Sequence, residues 1–157
     1  AAAAGMKLKI AAKVDKVDQA YFAQQIEPLL SQPHVEFLGE IGEDRKAEFL
    51  GNAAGLLFPI AWREPFGLVM IEAMACGTPV IAFPSGSVPE VIEEGVTGFM
   101  VESEDQAAAA ARRLQGLDRA RIRRQFEERF TARRMAEDYL KLYRGLIARH
   151  RPLQEAV

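Results

Sequence analysis

Residues 55–83 read GLLFPIAWREPFGLVMIEAMACGTPVIAF. The stretch opens on GLLFPI (55–60) and closes on PVIAF (79–83), two unbroken apolar runs of strand length. Runs that do not alternate suit strands covered on both faces of a parallel sheet. Between them GLVMIEAMAC (67–76) has helix length, and parallel neighbours need such a crossover. The whole stretch therefore reads as a βαβ unit. One residue jars. From Phe66 to Cys76 every position is apolar or glycine except Glu72.

Outward from that unit the pattern repeats. LKIAAK with its flank (7–13) and VEFLG (35–39) are strand-like, and GFMV (98–101) supplies a last short strand. YFAQQIEPLL (21–30) and EDRKAEFLGNA (43–53) carry apolar residues at helical spacing. After residue 101 the chain turns helical throughout, over 107–115, 119–130 and 131–150, with Thr131 as N-cap of the last. Alternating strands and helices predict an α/β fold, a Rossmann-like parallel sheet flanked by helices, with an all-helical C-terminal tail. The 157 residues make one domain.

In such sheets ligands sit beyond the carboxyl ends of the strands. That rule selects the loop AWREPFG (61–67). Gly67 opens the following helix, where free amides form a ready anion site that a residue without a side chain leaves open. Glu64 stands at its mouth. Glu72 has three readings: an internal partner such as an arginine or a backbone group, an exposed edge, or a cleft where it accepts hydrogen bonds from ligand hydroxyls. An unpaired buried carboxylate is too costly to be a fourth.

Charge is uneven under a net of -2. Residues 1–111 hold 7 basic and 16 acidic side chains, residues 112–157 hold 13 and 6. A solvated helix face explains the basic end better than nucleic acid, because the rest is acidic and no basic face is rich in aromatics. The absence of a G-x-G-x-x-G after the first strand argues against a dinucleotide-dependent oxidoreductase. A lone Cys76 with His34 and His150 excludes a disulfide framework or a zinc cluster and points to the reducing cytoplasm. Nothing in the pattern supports a membrane surface as partner.

The motif EPFGLVMIEAMACGTPVIA, followed by GSVPEVI and GVTGFMV, resembles the donor-site signature of glycosyltransferase family 4. The likeness runs from about Lys7 to Gly145. It implies the C-terminal half of a GT-B fold, the half that binds a nucleotide-diphosphate sugar, in a retaining enzyme. By the same resemblance Glu64 is the catalytic-site glutamate that contacts donor-sugar hydroxyls, orienting the sugar rather than attacking it. Phe66, Gly67, Leu68 and Val69 form the helix start that meets sugar and phosphates. Glu72 holds the ribose hydroxyls, and Ile41 lies against the base. Ser85-Gly86-Ser87 takes the place of a glycine-rich loop near the donor, with one glycine where the family often has two.

The resemblance further implies no cofactor and no metal, in keeping with the lack of any Asp-x-Asp. It implies an arginine and a lysine on the diphosphate, from a segment that would precede Lys7, and an N-terminal acceptor domain as partner. Lys13 reads as a surface lysine, and neither His34 nor His150 stands in for the histidine that many members place on the other domain. The final helix, 131–148, carries Met135, Tyr139, Leu142, Tyr143 and Leu146 on one stripe, which would either cross to that partner domain or pack at home. The chain alone is expected to bind donor weakly and to catalyse nothing. The alternative is a non-catalytic nucleotide-sugar-binding module, against which the presence of both glutamates argues.

Overall fold

The computed structural model describes residues 1–150; the last seven, including Arg151 of the basic stretch, lie outside the described residues. Five strands form: β1 (Leu8–Ala11), β2 (Val35–Gly39), β3 (Leu56–Phe58), β4 (Val80–Ala82) and β5 (Gly98–Met100). Every pairing is parallel, as the unbroken apolar runs require. The hydrogen bonding, however, divides the sheet into two ladders, β1–β2 and β3–β4–β5. Apolar runs locate strands but do not say which edges meet. In the second ladder Leu56 stands opposite Val80 and Val80 opposite Gly98, so β4 is the central strand.

Burial follows that order. All three residues of β4 are buried, whereas Leu57 of the outer strand β3 remains 38% exposed. The expectation that 55–60 is covered on both faces therefore holds for Ile60 and fails at Leu57, which shares the face of Ile81 but sits on the outer strand of its ladder.

The helices are α1 (Gln19–Tyr21), α2 (Glu27–Leu30), α3 (Glu43–Gly51), α4 (Leu68–Ala75), α5 (Val88–Val91), α6 (Glu104–Arg113), α7 (Arg119–Arg129) and α8 (Ala132–His150). The expected helix over 21–30 is broken: a π-helical segment, Phe22–Ile26, joins α1 to α2. Pro28 lacks the N–H that would close the next α-turn, and a wider turn just before it absorbs the defect. Ser103 and Asp118 cap α6 and α7 by accepting amides of their first turns, and Thr131 accepts the Arg134 amide at 3.2 Å.

α4 packs between the sheet and α7. Met70, Ala73 and Met74 face a core of Leu50, Val80, Ala82, Val88 and the fully buried Ile122 of α7. A second cluster of Ile81, Phe99, Val101, Ala110 and Leu114 lies under α6.

The basic end has a use that charge counting missed. Arg112 donates to the Ala3 carbonyl, Arg123 to Ala75, and Arg129 to Glu90 and Val91. Arg119 donates to the carbonyls of Gly51 (2.6 Å) and Ala53 (2.9 Å) and to the Thr78 hydroxyl (2.7 Å). These guanidinium groups satisfy the ends of turns and helices, so part of the basic surface is structural and only the remainder is a solvated face.

α8 departs from this economy. None of its residues is buried, and Met135, Tyr139, Leu140, Leu142, Tyr143, Leu146 and Ile147 are 42–65% exposed. Of the two outcomes expected for this stripe, packing at home is not what the structure shows. Even so, no helix among the described residues is long and apolar enough to cross a membrane.

Candidate functional site

The site grows from the turn between β3 and α4. Gly67 adopts φ +75°, and a Cβ there would stand 2.6 Å from the Met70 methyl and 3.2 Å from the Phe58 ring. Only glycine fits both the left-handed conformation and the space. The turn aims the start of α4 outward, and Glu64 folds back onto it. Its Oε1 accepts the Gly67 amide at 3.0 Å and its Oε2 accepts the Trp62 indole N–H at 2.9 Å. A carboxylate at this pole is favoured by the helix dipole. Among the described residues the amides of Leu68 and Val69 meet no acceptor, so two donors at the start of α4 stay open.

The segment 85–87 braces this turn from behind. The Ser87 amide donates to the Glu64 carbonyl at 3.0 Å, the Ser87 hydroxyl to the Phe66 carbonyl at 2.8 Å, and the Ser85 hydroxyl to the Trp62 carbonyl at 2.5 Å. Gly86 makes the approach possible: at φ +61°, a Cβ on it would lie 2.2 Å from the Glu64 carbonyl oxygen and 2.5 Å from its nitrogen. Three alternating residues, 62, 64 and 66, are thereby fixed through their main chain.

An open cavity of about 500 Å³ lies between these two segments and the end of α7, lined by Arg63, Glu64, Phe66, Gly86, Ser87 and Arg129 among others. Phe66 meets Phe130 edge to face, with centroids 6.3 Å apart, and Arg129 stacks over Phe130 while holding the α5 carbonyls. The guanidinium is thus engaged in shaping the wall.

Glu72 lies one turn beyond Leu68 on the same face of α4. Leu68 is 65% exposed and the Glu72 side chain 34% exposed, so α4 is not covered on all sides. Glu72 has both an open edge and an internal partner, which is Lys46 of α3 rather than an arginine. Nζ of Lys46 lies 3.0 Å from Glu72 Oε1 and 2.7 Å from Glu43 Oε1. The hydrogen bond to Glu43 first, and that to Glu72 second, raise the Lys46 pKa above its ordinary value.

The structure brings Glu64, Phe66 and Gly67 together at the turn, with Leu68 and Val69 on the first turn of α4. Of these residues Glu64 and Phe66 line the cavity; Gly67, Leu68, Val69 and, farther along, Glu72 do not. Ile41 is half-buried in the link from β2 to α3, the helix that supplies Lys46. Lys13 forms an exposed ion pair with Asp15 at 2.9 Å. Sequence reasoning missed Trp62 and Lys46. Trp62 left a trace, since an exposed aromatic two residues from a candidate glutamate is within reach of it. Lys46 left none, because its pairing depends on how α3 docks against α4.

A family model described as "Glycosyl transferases group 1" matches residues 3–133. N-acetyl-alpha-D-glucosaminyl L-malate synthase of Bacillus anthracis is 38% identical over 106 residues, covering 68% of this chain and 27% of that protein. D-inositol 3-phosphate glycosyltransferase of Streptomyces scabiei is 42% identical over 76 residues, 48% of this chain and 17% of the other. The chain thus spans well under two thirds of the length of these curated relatives. Sucrose-phosphate synthase from Thermosynechococcus elongatus superposes with a TM-score of 0.78 at 31% identity, over 94% of this chain and 41% of that one. Anabaena Alr3699/HepE, solved with UDP and glucose, superposes at 0.55 with 26% identity, over 80% and 41%.

Proposed function

The chain belongs to the group 1 glycosyl transferases, and from that premise we propose that it is the donor-binding part of a retaining glycosyltransferase using a nucleotide-diphosphate sugar. The observation that carries this reading is the start of α4, where a carboxylate held at both oxygens stands beside two open main-chain amides. A donor offers matching chemistry: hydroxyls for the carboxylate and a diphosphate for the amides. The UDP and glucose bound by the HepE relative support that assignment.

In this scheme Glu64 orients the donor sugar. The amides of Leu68 and Val69, with the positive pole of α4, meet the charge that grows on the departing diphosphate. Such preorganised donors need no rearrangement as the bond to the anomeric carbon breaks, and the scheme routes no step through a metal. Glu72 accepts the ribose hydroxyls, and Ile41 packs against the base. Retention, and the sugar-orienting rather than nucleophilic role of Glu64, rest on the resemblance of the Glu64–Glu72 motif. The exposed apolar face of α8 is the surface for an acceptor domain. The lone Cys76 suits a cytoplasmic setting.

Calorimetric titration of the protein with UDP, GDP and ADP tests the reading. One nucleotide is expected to bind, and Glu72→Ala to weaken it about tenfold or more while the melting temperature changes little. A large loss of stability with unchanged affinity would make Glu72 a purely structural partner of Lys46.

A further inference from the structure

Trp62 is the only tryptophan in the chain, and it is 63% exposed. Residue 62 is nonetheless held at both ends: its main-chain carbonyl accepts the Ser85 hydroxyl, and its indole Nε1–H donates to Glu64 Oε2 at 2.9 Å. The other oxygen of Glu64 is held by the Gly67 amide at 3.0 Å. With Ser87 on the Glu64 carbonyl, the main chain at Glu64 is pinned as well. The side-chain torsions of Glu64 are left to its own hydrogen bonds. The amide alone is a single tether about which the carboxylate can pivot; the indole, a second tether on the other oxygen, removes that freedom.

We infer that Trp62 is a positioning residue for Glu64: its indole N–H sets the plane of the carboxylate that receives the sugar hydroxyls of the donor. The inference rests on the donor-site reading of Glu64 and adds the group through which that glutamate is aimed. Each carboxylate oxygen can accept about two hydrogen bonds. With one protein donor on each, an acceptor position on each oxygen remains in a fixed plane, as a pair of hydroxyls on one ring requires. The sugar-bearing donor should therefore sense Trp62, and the bare nucleoside diphosphate should not.

The test uses Trp62→Phe, which keeps an aromatic ring and removes the N–H, beside Trp62→Ala, which removes both. The side chain is exposed, so both variants should fold, as circular dichroism and melting would verify. Affinities are measured for UDP, GDP and ADP and for UDP-glucose, GDP-glucose and ADP-glucose. A hydrogen bond to an ionised group is worth enough to shift binding about tenfold. Both variants are expected to lose about that factor for the glucose conjugate of the preferred nucleotide, and less than twofold for the diphosphate alone. Trp62→Phe binding the conjugate as tightly as the unmodified protein would overturn the inference, as would equal losses for both ligands.

A second arm needs no ligand. The indole N–H gives a single tryptophan side-chain peak in a ¹H–¹⁵N spectrum, and Glu64→Gln should move it. A peak unmoved by Glu64→Gln would sever the link between the two side chains and overturn the inference even if donors bind. If no nucleotide and no conjugate binds, the donor-site reading fails and the sugar-orienting role of Trp62 with it. The spectrum would still register whether the contact exists, so the two failures are distinct.

Discussion

Replacing Gly86 by alanine should damage the protein twice over. At φ +61° an L-residue lies in the left-handed region, at a cost of about 1–2 kcal/mol. The new methyl would also stand 2.2 Å from the Glu64 carbonyl oxygen, 2.5 Å from its nitrogen and 2.9 Å from its carbonyl carbon. All three are main-chain atoms, so no side-chain rotation relieves the clash, and overpacking of this kind adds about 1–3 kcal/mol. For a chain of this length each kcal/mol lowers the melting temperature by roughly 2–4 °C. Gly86→Ala should therefore melt about 4–20 °C lower. Gly95→Ala is the control that separates the two causes: φ is +71°, but nothing lies within 4 Å of the added methyl. It should carry the left-handed cost alone and fall by about 2–8 °C. Thermal melts of the three proteins, with nucleotide titrations beside them, decide the matter. Relief of the clash requires Glu64 to move, so Gly86→Ala should lose donor affinity as well, while Gly95→Ala keeps it. Equal melting temperatures for the two variants would refute the claim that segment 85–87 is pressed against Glu64.

Two further outcomes follow from contacts elsewhere. The Lys46 pKa is raised by Glu43 and Glu72, so the charged ammonium is favoured in the folded state. Its contribution is complete below the ordinary lysine value of about 10.4 and is lost as pH rises through the higher folded value. The gap in urea midpoint between the protein and Lys46→Met should accordingly stay constant from pH 7 to about 10 and shrink above it; a gap that closes below pH 9 would contradict the ion-pair geometry. On α8, Tyr139→Glu with Leu142→Glu should leave the melting temperature of the chain almost unchanged, because both side chains are already exposed. Ile122→Ala, on the fully buried face of α7, should cost about 2–5 kcal/mol by comparison. A steep loss from the α8 pair would show that this helix packs at home after all.

The parallel fold was legible because hydrophobic runs carry their own period. VEFLG matches β2 residue for residue, and the helix between the runs of 55–60 and 79–83 is α4. The same reasoning failed where neighbours decide. Continuous apolarity predicted cover on both faces of β3, yet Leu57 stays 38% exposed at the outer strand while its partner Ile81 on central β4 is buried, since cover depends on the layer opposite and on place in the sheet. The broken helix at 22–26 was encoded in Pro28, whose effect lies a turn upstream of its own position. At the candidate site, the placement of Gly67 and Glu64 at the start of α4 could be read because a glycine entering a helix has a local signature. The brace from Ser85 and Ser87 arrives from 21 to 23 residues away, and its hydrogen bonds to the turn all go to main-chain carbonyls, which no side-chain pattern announces.

The two glutamates of the motif are held by opposite strategies, and the difference bears on what each can do. Glu64 is fixed by an amide, an indole and a pinned main chain, none of which a solute readily displaces. A group so held can present acceptors in one orientation, which suits a sugar that must react at one carbon. Glu72 is held by the flexible end of Lys46, which keeps Glu43 as a second partner only 2.7 Å away. An ion pair this open to water contributes little, and Lys46 loses no charge compensation if it swings wholly to Glu43. A diol that arrives at Glu72 can therefore replace the ammonium without stranding either charge. Internal pairing and ligand binding are then not rivals at this position. On the proposed donor-site reading, the lysine would keep a half-buried carboxylate satisfied while the site is empty, and would yield it when hydroxyls of the right spacing take its place.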